Sequence, residues 1–149
     1  MSWWWIVVIV AVVLMLAWLY SLAKRLNRLH IRTDAARHSL EAALDRRAAV
    51  AAALIPEAVD AAHEAQDIPC EYGSFAARAR AEKALKSLIE ASHQAENPEL
   101  VAAQTRVELA TRFYNEAVAD TRAVQLLPAA RFFRLGGRAQ VPQFYEPVL

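Results

Sequence analysis

The first 23 residues contain no charged side chain, and from Trp3 to Leu22 the run WWWIVVIVAVVLMLAWLYSL is almost wholly apolar. About 20 such residues in a helix match the ~30 Å hydrocarbon core of a bilayer. Trp3, Trp4 and Trp5 stand at one end of the run, Trp18 and Tyr20 at the other. Indole and phenol rings suit the headgroup boundary, so these five residues read as an aromatic belt. A cleaved secretory signal would need a basic leader and a small-residue cleavage site. Neither is written here, so the run is expected to remain as an anchor.

The flanks predict an orientation. No Lys or Arg precedes the run, whereas Lys24, Arg25, Arg28, Arg32 and Arg37 follow it, opposed only by Asp34. Positive charge stays on the inner side. The expectation is therefore a single-pass protein of the plasma membrane, N-terminus outside and residues 24–149 cytoplasmic. Lys24, Arg25 and Arg28 are then juxtamembrane residues that contact anionic headgroups.

The remainder reads as all-α. Apolar or small residues recur at Leu22, Leu26, Leu29, Thr33, Ala36, Leu40, Ala43, Val50 and Leu54, with Arg47 in the series. That heptad stripe predicts that the anchor helix continues unbroken into a long packed helix with coiled-coil character. Pro56 should kink or restart it. Gln66–Ser74 (QDIPCEYGS) collects turn residues and a capping serine. A second helix is expected from Phe75 to about Ala95, with Phe75, Ala79, Leu85, Leu88, Ile89 and Ser92 on its inner side. Asn97 and Pro98 open a third helix that runs to about Leu127, where Pro128 ends it. The expected architecture is an N-terminal transmembrane helix (1–23), an antiparallel bundle of about three helices (24–128) and an extended tail (129–149). Projected at ~100° per residue, the third helix shows an apolar band about half its circumference wide. The predicted bundle core includes Leu40, Leu44, Leu109, Phe113, Tyr114, Ala117 and Val118. Arg106 alone falls inside the band as a misfit.

The stretch TRFYNEAVAD (Thr111–Asp120), followed by LLP, resembles the LemA family, whose signature is an aromatic–aromatic–Asn–acidic–Ala–Val helix leading to a stop. LNRLHIRTDAARHSLEAALDRR (Leu26–Arg47) is similar to that family's first helix, and NPEL (Asn97–Leu100) to the break before its last. FYEP (Phe144–Pro147) is similar to its C-terminal tail. LIP (Leu54–Pro56) follows Arg46 and Arg47 about one turn later than in the family pattern, as in a divergent, compact member. The resemblance implies a membrane-anchored, all-helical protein and carries no catalytic residues or cofactor.

The chemistry-bearing residues are dispersed. His30, His38, His63 and His93 lie on different segments without zinc spacing. Cys70 is a lone thiol with no neighbouring cation in sequence to activate it. LGGR (Leu135–Arg138) is too short for a phosphate loop. With 17 basic and 16 acidic residues, the formal net charge of +1 gives no bulk attraction to nucleic acid. No enzyme, cofactor, metal or small-molecule substrate is expected. ARFFRLGGR (Ala130–Arg138) has the composition of a membrane-surface contact. In an up-down-up bundle, however, the third helix ends far from the bilayer, so these aromatics are expected to cover the bundle's end. The polar arc of the third helix, Glu108, Arg112, Asn115 and Arg122, is the candidate face for a protein partner. The expected partners are membrane lipid and either an unknown protein or a second copy of the chain. The leading expectation is a non-enzymatic docking module. The alternative is a small accessory subunit of a larger membrane complex, held through its Trp-rich span.

Overall fold

The computed structural model describes residues 2–137 and 139–147. Arg138, which closes both the LGGR and ARFFRLGGR stretches, lies outside them, as do Met1 and the last two residues of the tail. Every regular element among the described residues is helical: α1 (Ser2–Leu54), α2 (Val59–Asp67), α3 (Phe75–Ala91), α4 (Pro98–Gln125) and the short α5 (Pro128–Phe132). α1 is one unbroken helix of 53 residues. Its apolar N-terminal stretch is long and hydrophobic enough to cross a membrane and packs against nothing in the protein.

Local chemistry sets the boundaries. Ile55 precedes a proline and adopts an extended conformation, φ −127° and ψ 100°, as the proline ring requires of its neighbour. α1 therefore ends at Leu54, and the chain restarts through a 3-10 turn over Pro56–Ala58. α3 is shorter than the sequence suggests. Ser92 ends it, its hydroxyl donating to the Ile89 carbonyl at 2.7 Å and accepting from Gln94 N–H at 3.2 Å. Ser74 stands at the N-cap of α3 without a capping side-chain bond. Asn97 does cap α4: its Oδ1 accepts from Glu99 N–H at 3.0 Å, and Pro98 fills the first helical position.

α1 and α4 run antiparallel along most of their shared length. Arg47 meets Gln104, Thr33 meets Thr121, and His30 meets Gln125, so one index falls as the other rises. The core lies along this seam in three stations. Nearest the apolar span, Leu22, Leu26, Val124 and Ala130 pack together. In the middle are Leu40, Leu44, Phe75, Val107, Tyr114 and Val118. At the far end Ala48, Ala51, Ile55, Ala58, Leu85 and Leu100 close the core. Most of the α1 stripe is inward: Leu22, Leu26, Thr33, Leu40, Arg47 and Val50 are buried. Between the first two stations the Thr33 and Thr121 hydroxyls meet at 2.8 Å, fully buried.

Two expectations change. The inward face of α4 is a narrow heptad seam, Leu100–Val107–Tyr114–Thr121 beside Ala103–Ala110–Ala117–Val124, not half the circumference. All of these are buried except Ala110, which is half-buried. Tyr114, Ala117 and Val118 are in the core, with Leu40 and Leu44 opposite. Leu109 and Phe113 are not: they are 51% and 54% exposed. A helix that packs mainly along one partner buries a stripe about two positions wide per heptad, and its flanks stay in water. Secondly, α4 returns toward the start of α1 instead of ending far from it. α2 and α3 are short and together carry the chain back to the far end, so α4 descends along α1.

Candidate functional site

Three polar side chains of α4, Tyr114, Asn115 and Arg122, hold the C-terminal tail. Asn115 pairs with the backbone of Tyr145 in both directions: its Nδ2 donates to the carbonyl at 3.0 Å and its Oδ1 accepts from the N–H at 2.9 Å. Tyr114 donates its hydroxyl to the Gln143 carbonyl at 2.6 Å. Two turns further along α4, Arg122 Nε donates to the Pro142 carbonyl at 2.7 Å, and its guanidinium lies over the Phe144 ring at 4.8 Å. The side chain of Tyr145 is buried and meets Phe75 edge-on at 5.5 Å, while Phe75 meets Tyr114 in the same manner at 5.8 Å. An extended segment is thereby fixed by its main chain at three carbonyls and one N–H, and by one aromatic anchor. Burial pushes the hydroxyls of Tyr114 and Tyr145 well above the usual phenol range.

Beneath the tail lies a buried ionic chain. Both Glu82 oxygens accept guanidinium bonds: Oε1 from Arg78 Nε at 2.8 Å and Oε2 from Arg47 Nη2 at 2.6 Å. Arg78 is fully buried and also donates to Asp45 at 2.7 Å and to the Ile68 carbonyl at 2.8 Å. Burial alone would lower the basicity of Arg78. The bonds to Asp45 and Glu82 outweigh it, and the net shift is upward. Arg47 also donates to Gln104, but its Nε is buried without a partner among the described residues. A cavity of about 340 Å³ adjoins this cluster, walled by Arg47, Glu82, Gln104, Val107 and Tyr145, with Glu108 and Arg112 at its margin.

The candidate partner face is thus divided. Asn115 and Arg122 are committed to the tail, which corrects their assignment as free docking residues; the tail's backbone supplies the polar partners that the sequence leaves unnamed. Glu108 and Arg112 remain exposed. Glu108 accepts from Gln104 at 2.9 Å, and Arg112 pairs with Glu116 at 3.1 Å. The exposed apolar neighbours of Arg112 are Leu109 and Phe113. Arg106, three residues before Leu109 and seven before Phe113, is the sequence signal that this edge faces water.

The reactive groups stay apart. Cys70 is buried, and burial pushes its thiol up to about 11, so the sulfur is a protonated packing atom at neutral pH. His38 lies 3.6 Å from Glu41 and His30 3.2 Å from Gln125. Among the described residues no three His, Cys, Asp or Glu side chains come together as a metal site would need. The predicted membrane-interface residues Trp3, Trp4, Trp5, Trp18 and Tyr20, with Lys24, Arg25 and Arg28, are all exposed along α1. Compared with protein-family models, with curated proteins and with solved structures, the chain matches none.

Proposed function

We propose that this chain is a single-pass, membrane-anchored, LemA-like helical protein whose cytoplasmic antiparallel bundle docks a protein partner without catalysing a reaction. The observation that carries the reading is the Leu109–Phe113 pair. Two large apolar side chains, one turn apart, stand half-exposed on a helix whose opposite face is locked into the core. Arg106, Arg112 and Glu116 rim them with charge. An apolar centre with a charged rim is the anatomy of a protein interface. Phe113 lies eleven residues above Val124, which places it ~16 Å along α4 from the core station nearest the span. That distance suits a soluble or membrane-bound protein partner better than lipid.

A photoreactive residue in place of Arg112, used in intact membranes, is expected to give a discrete protein adduct. Leu109→Ser with Phe113→Ser should abolish the adduct while changing stability by no more than ~0.5 kcal/mol each, as for exposed positions. Undiminished adducts in the double variant would remove this face from the proposal.

A further inference from the structure

The end of the molecule beside the apolar span carries a second apolar surface. α4 descends toward the span at ~1.5 Å per residue and ends at Gln125, one residue past Val124. Leu126 and Leu127, which are 63% and 43% exposed, form the turn that leads directly into α5. α5 is pinned in place: Ala130 packs with Leu22 and Leu26, with Ala129 and Leu135 beside them. The turn after α5 closes against α1, where a Cβ on Gly136 would meet Leu26 at 3.6 Å. Phe132 is 82% exposed, more than Trp3 at the tip of the apolar span at 79%, and Phe133 is 43% exposed. The two rings meet each other edge-on at 5.0 Å. Arg131 and Arg134 flank them and are exposed. The sequence-based expectation that these aromatics cover the bundle's end does not hold, because α4 delivers them to the opposite end.

Charge is partitioned along the same axis. The two stretches that meet here, 1–33 and 121–145, contain eight Lys and Arg and no Asp or Glu. Residues 34–120 contain nine basic and fifteen acidic residues. A nearly neutral protein therefore concentrates its cations toward the end where its apolar helix emerges, with Asp120 at the border pairing with Arg32 at 3.2 Å.

We infer that the α4–α5 corner, with Leu126, Leu127, Phe132 and Phe133 inserted and Arg131 and Arg134 on lipid phosphates, seats on the surface of the bilayer that α1 crosses. The occupant is an anionic leaflet. The apolar side chains stand 43–82% exposed among the described residues, Ala130 between them packs with Leu22 at the mouth of the span, and their cationic surround complements anionic headgroups. Interfacial segments of this kind lie ~5–10 Å into the headgroup boundary. The inference rests on reading α1 as a membrane span.

The test uses the full chain with Cys70→Ser, reconstituted in phosphatidylglycerol-containing bilayers, with an environment-sensitive dye on a single introduced cysteine. A dye at Phe133→Cys should be quenched by shallow nitroxide lipids and shielded from aqueous iodide. The same dye at Phe113→Cys should show the reverse. A dye at Met15→Cys should be quenched by deep nitroxide lipids. Adding Phe132→Ser and Arg131→Gln should return the Phe133→Cys dye to iodide. If that dye is as open to iodide as the one at Phe113→Cys while Met15→Cys reports depth, the span stands and the surface seat is wrong. Shielding without lipid quenching would mean that protein covers the corner, and it would equally overturn the inference. A Met15→Cys dye exposed to iodide would remove the span itself.

Discussion

Glu82 shows how much rests on one side chain. Its two oxygens hold two buried guanidinium groups, one on α1 and one on α3, and so tie those helices through a single carboxylate. Removing one partner of such a set leaves charges in a low-dielectric interior with nothing to offset their lost hydration. Arg47 already has one N–H without a partner among the described residues, and without Glu82 it keeps only its bond to Gln104 there. Glu82→Ala should lower stability by about 3–5 kcal/mol, measured by urea unfolding in detergent. Because Arg78 keeps Asp45 and the Ile68 carbonyl, Arg47→Met in the same background should recover part of that loss. A Glu82→Ala protein as stable as the parent would show that water, not the carboxylate, solvates the pair.

Among the elements, the tail depends most on a few bonds. Residues 139–147 have no regular structure of their own; α4 supplies their order through Asn115, Tyr114 and Arg122. Asn115→Ala breaks a reciprocal backbone pair, and each lost bond weakens docking by ~1 kcal/mol. Limited proteolysis next to Phe144 should become correspondingly faster, by roughly tenfold or more if both bonds count. The charge-removing substitution Arg112→Ala, on the outer side of the same helix, should leave the rate unchanged. This clasp is not legible in the sequence. Asn115 sits on the polar arc of α4, and sequence periodicity distinguishes water from protein only by the polarity of side chains. A backbone carbonyl thirty residues away leaves no trace in that pattern. The elements themselves are legible where chemistry is local: Pro56 as a stop, Asn97–Pro98 as a start, the uncharged run as a span-length helix. The width of the α4 apolar face is not, because Leu109 and Phe113 are apolar without being buried. Arg106, placed between them and the core by angle, is the residue that disagrees.

At the scale of the whole molecule, the antiparallel return of α4 governs everything else. It puts the acidic far end and the cationic near end at opposite poles and aligns both with the apolar axis of α1. The proposed topology has a direct check. Ser87 is exposed on α3, on the far portion of the molecule; in a Cys70→Ser background, Ser87→Cys should resist a membrane-impermeant maleimide in intact cells and react fully after permeabilisation. Labelling from outside would reverse the orientation and place the docking face on the other side of the membrane.

α1 also joins the span to the bundle as a single rigid body. No loop separates Trp18 from Leu40, and the 32 residues from Ala23 to Leu54 extend ~48 Å beyond the apolar run. On the membrane reading, the helix is a lever whose short arm is held by lipid. A tilt of ~20°, ordinary for a spanning helix, swings the far tip sideways by ~16 Å. A thinner or thicker bilayer would therefore reposition the distal pole, and a corner resting on the leaflet would act as the stop that limits the swing.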